Sequence, residues 1–486
     1  MKFTMKYVPV FVLMSFVVFS CDDYLDINEN PNFPTDAPIE GLMTRTTLES
    51  ARNTRSVAGT VSFFTQHFAS PNAAASTDTH QAVSYGGTWS SLYSVLGDLA
   101  VMNLKAEELD APWYAGVSKI LTAYNLGLLT SMFGDAPYSE ALFAQTLNPP
   151  YDSSEDIYRV MLDLLDDAII DLQQPSSAVV PGSDDYIFNG DRPSWIRTAY
   201  ALKARYLNHY SKLPAYNPTA VLTAVDNAFE NSDQDFQMNF FEGQGTGAEN
   251  PWYRLAVNNA GLLLGGWLSD QFVDQLNGTT FGIVDPRIEF ITDTVSVAAH
   301  PLVGQYVGTR NGAGRGADPE ANVRAVLAVG SWYANEPADP LQMATYAEMK
   351  FIEAEAALAA NQPGRAAAAY EEGVRAHMTK LGVDPDDIDA YWDNPEVSTN
   401  IDLDKIMKEK FVAMFLLPEK WNDARRFDYG YEGFQIPANH NAALGGQHIR
   451  LVRYPDSERQ RNAAQIPDRG APDPDQLLGR IFWDVP

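Results

Sequence analysis

Apolar residues recur at steps of three and four positions along most of the chain, which is the spacing of an α-helix with one buried face. The pattern is clearest over 88–109. There the apolar positions on one side of the helix are Trp89, Leu92, Leu96, Leu99 and Met102. With Ser, Pro and Gly near the expected ends, the same spacing predicts helices over 39–65, 113–132, 153–175, 193–212, 218–230, 345–360, 364–381 and 402–416. The hydrophobic pattern therefore predicts a mainly α-helical protein.

Helical spacing is lost between 234 and 335, where Gly, Asn and aromatic residues are frequent. A short β-branched piece at 282–284 favours a small hairpin, and 262–276 favours a short helix. Long irregular segments inside a compact protein usually carry function. We therefore expect a loop-rich, ligand-binding insertion at about 234–335 within a single domain that spans 39–486. The tail from 428 onward is predicted to be irregular as well.

The helices predicted at 345–360 and 364–381 resemble a tetratricopeptide repeat. A breaker, Asn361-Gln362-Pro363-Gly364, separates them, and small residues such as Ala354 and Ala369 allow the two helices to approach closely. The segments 113–132 and 154–212 look like degenerate copies of this pair. Stacked pairs of this kind would bury a continuous core. A generic helical bundle is the alternative.

The N-terminus has the pattern of a bacterial lipoprotein signal. Lys2 and Lys6 precede an almost wholly apolar run at 7–19, which is shorter than the roughly 20 residues that a membrane-spanning helix needs. Cys21 follows the small residue Ser20 and resembles the lipidated cysteine of a lipobox. We expect residues 1–20 to be a signal peptide and 21–38 to be a tether, with Cys21 as the lipid anchor. An ordinary signal peptide is the alternative.

Charge and composition exclude several classes of function. The net charge is −29, and such a field would repel a nucleic-acid backbone, so no nucleic-acid partner is expected. Cys21 is the only cysteine, which excludes disulfides. No nucleophile elbow, phosphate-binding loop or dinucleotide motif occurs, and the glycine-rich stretch 308–316 is interpreted as a flexible loop. Neither a cofactor nor a metal is predicted, because His67 and His80 lack ligand spacing.

Two aromatic pairs in the irregular segment are the candidate ligand contacts. Trp252 and Tyr253 follow Asn250 in a predicted loop, and Trp332 and Tyr333 lie between a glycine and a proline. A flat ring can cover the apolar face of a sugar, while neighbouring amide and guanidinium groups, such as those of Asn258 and Arg254, can bond its hydroxyls. The alternative is that each pair anchors its loop on the core.

Several short motifs, in order, resemble the SusD/RagB family of outer-membrane lipoproteins from Bacteroidetes. The motifs are Cys-Asp-Asp-Tyr-Leu-Asp-Ile-Asn from Cys21, Trp89-x-x-x-Tyr93, Phe-Gly-Asp-Ala-Pro-Tyr at 133–138, Glu-Met-Lys-Phe-Ile-Glu-Ala-Glu-Ala at 348–356, Glu-Lys-Trp-Asn-Asp-Ala-Arg-Arg at 419–426 and Arg-Ile-Phe-Trp-Asp at 480–484. Each motif alone has low specificity, but together, in this order, the motifs extend over essentially the whole chain. Asp22 and Asp23 resemble the signals that export such lipoproteins to the cell surface.

The resemblance implies a SusD-like fold and a binding protein rather than an enzyme. Family members cap a SusC-like TonB-dependent transporter as a lid, and they deliver glycans or, in some cases, peptides into its barrel. The resemblance also implies attachment to the outer membrane through the lipid, facing the cell exterior. Trp89 is the residue nearest in context to a family ligand aromatic, whereas 133–138 and 421–426 are interpreted as structural.

Three alternatives to glycan delivery stay open at this point. The chain could be a peptide-binding lid of the same kind. It could also be a scaffold or adhesion lipoprotein whose repeats bind only protein. A surface hydrolase that uses two of the many carboxylates is the third alternative. The sequence does not identify the ligand.

Overall fold

The structure, a computed structural model, describes residues 37–142, 146–262, 266–316, 323–467 and 472–486. The predicted signal peptide, the predicted lipidation of Cys21 and nearly all of the predicted tether lie outside the described residues. These predictions about the N-terminus therefore stay predictions.

Sixteen α-helices in the described part of the chain confirm the mainly α-helical prediction. They are α1 Ile39–Phe64, α2 Gly86–Glu108, α3 Pro112–Phe133, α4 Ser154–Leu172, α5 Arg192–Asn208, α6 Pro218–Val225, α7 Pro251–Leu262, α8 Asp270–Leu276, α9 Tyr346–Ala359, α10 Pro363–Leu381, α11 Pro385–Trp392, α12 Pro395–Ser398, α13 Leu403–Ala413, α14 Lys420–Arg426, α15 Asp456–Arg461 and α16 Asp473–Leu477. Short 3-10 helices occupy His209–Lys212, Ser232–Gln234, Pro286–Phe290 and Ala442–Leu444.

Side-chain caps explain why the long helices begin near the predicted residues. The Ser153 side chain accepts a hydrogen bond from the backbone N–H of Asp156 at the start of α4. Thr345 accepts in the same way from Glu348 at the start of α9. Each cap satisfies a backbone donor that would otherwise have no partner within the helix. At the other end of α10, Gly382 has φ of +87°, a left-handed conformation that ends the helix.

Helix α3 is the centre of the framework and is buried along almost its whole length. It packs against α1, α2, α4 and α5. Its glycines explain how the neighbours come so close. A Cβ atom on Gly116 would lie 2.6 Å from Leu172 of α4, and one on Gly127 would lie 2.4 Å from the Tyr206 hydroxyl of α5. The framework therefore depends on small residues where helices touch.

The predicted helix pair at 345–381 is present as α9 and α10, which pack against each other. Ala354 and Ala369 are buried in this pair, and the Phe351 ring covers the position where Gly373 lacks a side chain. Helix α9 also packs against α5, α6 and α13, so the pair is built into the framework. The likeness of other helix pairs to the same repeat stays a prediction.

Within the described ranges, four short strands form two antiparallel pairs, which tie the irregular segment to the helices. Strand β1, Phe68–Ala69, pairs with β3, Trp267–Leu268, in the register Phe68 to Leu268. Strand β2, Phe236–Asn239, pairs with β4, Pro340–Ala344, which leads directly into α9. An isolated antiparallel bridge joins Asn277 to Val284, where a small hairpin was expected.

Three details differ from the predictions for the irregular segment. Residues 251–262 form helix α7 instead of a loop. The predicted helix over 262–276 is shorter, since β3 occupies 267–268 and only α8 follows. The glycine-rich stretch 308–316 is packed rather than flexible, because a Cβ atom on Gly312 would lie 1.7 Å from the Ala438 carbonyl oxygen. Glycines in this stretch allow backbone segments to touch.

Buried ion pairs connect the helices around α9. The Arg205 guanidinium donates two hydrogen bonds of 2.6 Å to Glu348, and its Nε lies 3.9 Å from Glu419. Arg426 bonds both Glu355 and Asp423, at 2.9 and 2.6 Å. These charges are almost fully removed from water and are paired, as buried charges must be to be tolerated. The structural interpretation of 421–426 is therefore confirmed.

None of the helices within the described ranges combines the length and the apolar content that a membrane-spanning helix requires.

Candidate functional site

A cleft of about 390 Å³ lies between helix α1 and the start of helix α7, and we call it the α1–α7 cleft. Its lining residues are Arg52, Arg55, Phe240, Thr246, Gly247, Glu249, Pro251, Arg254, Leu255 and Asn258. This volume lies in the range of small-molecule sites, which combine apolar walls with a few polar groups. The cleft therefore has the size and composition of a ligand-binding site.

Backbone hydrogen bonds shape the loop that forms one wall of the cleft. The Phe241 N–H donates to the Ala248 carbonyl, and the Ala248 N–H donates to the Gly245 carbonyl, both at 2.9 Å. Arg52 of α1 then donates to the Gly247 carbonyl at 2.7 Å. These bonds hold the loop against α1, so that the wall is positioned by the helical framework.

Asn250 positions the start of helix α7. Its side-chain oxygen accepts from the backbone N–H groups of Trp252 and Tyr253, at 2.7 and 3.4 Å, as an N-terminal cap does. Its side-chain nitrogen donates to the carbonyls of Asp339 and Pro340, at 2.9 and 3.3 Å. The residue is fully buried, and its bonds serve the protein itself. This arrangement is that of a positioning residue.

The Trp252 ring is only 3 % exposed and supports the cleft from beneath. It packs edge-on against Phe68 at 6.2 Å, and the Arg55 guanidinium lies 5.1 Å from its centroid. This cation–π contact orients the guanidinium at the wall of the cleft. Tyr253, the next residue along α7, is partly exposed.

Positive charge is concentrated in the cleft. Arg52 bonds Glu49 at 2.7 Å, and Arg254 lies 3.3 Å from Glu249. Arg55 differs, because no carboxylate among the described residues lies within ion-pair distance of it. Burial lowers the pKa of the Arg55 guanidinium from its ordinary value of 12.5, but arginine remains a cation near neutral pH.

The second aromatic pair lies against the core, away from the lining of the cleft. Tyr333 is 4 % exposed, its hydroxyl lies 3.1 Å from His377 Nε2, and its ring contacts Phe415 edge-on at 5.1 Å. Trp332 is partly buried against Tyr333, and the Lys380 ammonium lies 5.4 Å from its ring centroid. These contacts are those expected if the pair anchors its loop on the core, which is the alternative to ligand binding. A direct role in ligand binding stays a prediction for both residues.

A row of rings connects the two predicted aromatic pairs through the interior. Phe68 contacts Trp252 at 6.2 Å and Phe415 at 6.0 Å, and Phe415 contacts Tyr333 at 5.1 Å. The pairs are therefore joined through buried rings, not by a shared exposed platform.

Trp89 lies in α2 and is 5 % exposed. Its ring contacts Tyr93 and Phe133, both at 4.8 Å, and Tyr454 at 6.3 Å. The Tyr93 hydroxyl donates to the Pro137 carbonyl at 2.6 Å, which links α2 to the turn after α3. Trp89 thus packs within the motif at 133–138, and a role in ligand contact stays a prediction.

No group of three or more His, Cys, Asp or Glu side chains in the described ranges is arranged to hold a metal ion. The features that define the α1–α7 cleft are instead arginines, apolar walls and a capped helix start.

The sequence identified part of this site. Arg254 and Asn258 were visible there as polar neighbours of the first aromatic pair, and both line the cleft. Arg52 and Arg55 were missed, because they lie about 200 positions away along the chain, on a helix whose pattern predicts only a buried face. No local motif distinguishes these two arginines from ordinary surface charges.

Comparison with known proteins identifies the family of this chain and its fold. A SusD-like family model, described as "Starch-binding associating with outer membrane", matches residues 31–455. No curated protein matches the sequence. A SusD/RagB family protein from Bacteroides thetaiotaomicron is 19 % identical with a TM-score of 0.73, covering 92 % of this chain and 99 % of its own.

Two further solved structures have the same fold. A chitin-binding SusD homologue from Flavobacterium johnsoniae is 21 % identical with a TM-score of 0.75, covering 91 % of this chain and 98 % of its own. A SusD homologue from Bacteroides fragilis is 20 % identical with a TM-score of 0.75, covering 92 % and 99 %. At these identities the likeness establishes the architecture, and the predicted SusD-like fold is confirmed.

Proposed function

The chain belongs to the SusD-like family, and from this premise we propose that it binds an oligosaccharide at the cell surface and delivers it to a SusC-like TonB-dependent transporter. It acts as a binding protein, without catalysis of its own. The observation that carries the proposal is the family match over residues 31–455, which includes helices α1 to α14 and every residue that lines the α1–α7 cleft.

The chemistry of the cleft supports a saccharide ligand. Phe240, Pro251 and Leu255 provide apolar surface, on which the carbon face of a sugar ring can lie. Arg254 and Asn258 provide groups that can bond hydroxyls. Sites of this kind bind through apolar contact and obtain specificity from a few polar groups.

The predicted contact residues take different roles in this proposal. Asn250 and Trp252 act through position, since one caps α7 and the other supports Arg55. The partly exposed Tyr253, in α7, is proposed as a direct contact of the ligand. Trp332 lies away from the cleft lining and is proposed to anchor its loop through Tyr333 and Lys380. Trp89 and Tyr333 hold the surrounding elements in place.

Binding is tested with the full-length protein purified from membranes in detergent. Isothermal titration against a panel of neutral and acidic oligosaccharides, with a panel of short peptides beside it, is expected to show saturable binding to saccharide. Binding to peptides alone would overturn the proposal in favour of the peptide-binding lid. Binding to neither ligand, with a stable protein partner in its place, would favour the scaffold alternative.

Anchoring and partnership are tested in membranes. We expect Cys21→Ala to leave the protein folded but soluble after fractionation, because the lipid would supply the attachment. A variant that sediments with the outer membrane as the wild type does would refute the lipid anchor. Purification of the lipidated protein in mild detergent should recover a TonB-dependent transporter, and its absence from a complex that still binds saccharide would refute delivery.

A further inference from the structure

We infer that the α1–α7 cleft binds an acidic saccharide, and that Arg55 pairs with the carboxylate or sulfate group of that sugar. This inference rests on the proposed function and specifies the class of its ligand. The charge of the residues that line the cleft is its first support. Three arginines, Arg52, Arg55 and Arg254, line one cleft together with a single carboxylate, that of Glu249. The chain as a whole carries a net charge of −29, so this local excess of positive charge runs against the composition.

Arg55 is partly exposed, and its surroundings differ from those of three buried arginines that connect the helices. Arg205, Arg287 and Arg426 each lie within ion-pair distance of two carboxylates. For Arg55, the described part of the chain offers no such carboxylate. Arg55 is partly exposed at the wall of the cleft, so its guanidinium is open to an anionic ligand, with which it would form a charge-assisted pair.

The packing holds Arg55 ready for such a partner. The Trp252 ring lies beneath the guanidinium at 5.1 Å, which fixes the side chain at the cleft wall. Gly59, one turn later in α1, leaves room for it, because a Cβ atom there would lie 3.3 Å from Arg55 Nη1. A planar guanidinium held in this way can form two parallel hydrogen bonds with a carboxylate or a sulfate. Less conformational freedom is then lost when the ligand binds.

The other charged groups of the cleft favour a ligand that carries one acidic group over a ligand that carries many. Arg52 is already bonded to Glu49 and to the Gly247 carbonyl. Arg254 lies 3.3 Å from Glu249, so its charge is partly compensated. Charges further than about 8 Å away are largely screened at physiological salt, but a long polyanion would still meet a protein whose net charge is −29. The ligand is therefore a saccharide with isolated acidic groups, not a densely sulfated polymer.

The size of the cleft agrees with this class. A volume of about 390 Å³ is near the lower end of ligand sites and suits one or two sugar units. Phe240 and Leu255 provide the apolar wall that a pyranose ring needs beside its acidic group.

The test measures affinity for matched pairs of sugars by isothermal titration at low and at physiological salt. The probes are short oligosaccharides that end in glucuronate, galacturonate, mannuronate or a hexose 6-sulfate, each with its neutral parent. The full-length wild type is expected to bind at least one acidic member tenfold or more tightly than its parent, and less tightly as salt rises. The uronate and sulfate arms show which acidic group the cleft accepts.

Arg55→Gln should abolish the preference, with a loss of tenfold or more in affinity for the acidic probe, because a charge-assisted pair is removed. Arg192→Gln is the matched control, since Arg192 also lies over a tryptophan ring, at 4.4 Å from Trp113, outside the cleft. It should bind like the wild type. Arg55→Lys should keep part of the preference, and thermal melting confirms that each variant is folded.

Each outcome decides between the inference and the proposed function. If neutral parents bind as well as acidic probes, the acidic-ligand inference is overturned while saccharide binding stands. If acidic probes are preferred but Arg55→Gln retains the preference, the assignment of the group to Arg55 is overturned. If only peptides bind, both the inference and the proposed function are overturned.

Discussion

The helical framework and the α1–α7 cleft use the same side chain in opposite ways. In the framework Arg205 lies against Glu348, 2.6 Å from each of its two oxygens, and both side chains are almost fully buried. In the cleft Arg55 has the Trp252 ring beneath it and, among the described residues, no carboxylate within ion-pair distance. Pairing inside the chain makes an arginine a structural element. Packing without pairing, for a side chain that is partly exposed in a cleft, leaves the charge of Arg55 available to a ligand.

The strongest test of this comparison removes one arginine from each region. We expect Arg205→Met to cost about 3–5 kcal/mol of unfolding free energy, because Glu348 would be left as an uncompensated buried carboxylate. Arg55→Met should change stability by less than about 1 kcal/mol, since it leaves no described carboxylate without a partner. Denaturant unfolding of both variants measures the difference. Equal losses would show that Arg55 is structural too.

Acid should weaken the framework through Glu355. Burial raises the pKa of this carboxyl, but Arg426 and Lys410 outweigh burial and lower the pKa to about 2, from an ordinary value of 4.5. The stabilisation is therefore fully present above pH 4.5 and is lost as the pH falls through about 2. Glu355→Gln should be less stable than the wild type at neutral pH, by roughly 3 kcal/mol. The difference in stability between the wild type and Glu355→Gln, measured by thermal melting, should disappear as the pH falls from 4.5 through about 2. A difference that does not change with pH would contradict the pairing.

A smaller effect is expected at the start of α7. Asn250→Ala removes the cap and also leaves the Asp339 and Pro340 carbonyls without its amide, so it should cost about 2 kcal/mol of stability. It should weaken ligand binding because the cleft wall loses its position. Asn217→Ala is the control for loss of a cap alone, since Asn217 caps α6 away from the cleft lining. The control should lose about 1 kcal/mol without loss of affinity. If both variants bind ligand normally, Asn250 does not position the site.

The smallest change concerns the room beside Arg55. Gly59→Ala would place a methyl group 3.3 Å from Arg55 Nη1, and the guanidinium would have to shift. Affinity for an acidic probe should fall several-fold, while stability changes by less than about 1 kcal/mol. Gly97→Ala in α2 is the control, because nothing lies within 4 Å of the added atom. It should bind normally and gain slightly in stability. Identical binding by the two variants would argue against a pre-positioned Arg55.

The sequence predicted the helices well, because the signals that define a helix lie within the helix and at its ends. Apolar spacing and capping residues such as Ser153 and Thr345 fix where α4 and α9 begin, without knowledge of the rest of the fold. The irregular segment was harder. The residues around Trp252 predict a loop, yet Pro251 is the first residue of α7, because proline suits the first turn of a helix.

The site was predicted only in part, for a physical reason. Asn250, Trp252 and Arg254 are close in sequence, and the structure places all three at or beneath the cleft. The opposite wall comes from α1, and tertiary packing alone brings Arg55 to Trp252. Aromatic content could not separate an exposed ring from a buried one. Trp252 and Tyr333 therefore looked like ligand contacts, although their contacts in the fold are those of packing residues.

The most direct measurement is a crystal structure of the protein with the acidic oligosaccharide that binds most tightly. The account predicts the sugar in the α1–α7 cleft, with its carboxylate or sulfate oxygens within hydrogen-bond distance of the Arg55 guanidinium and its ring against Phe240 or Leu255. A saccharide bound elsewhere on the molecule at full occupancy, with the cleft free of ligand, would contradict it.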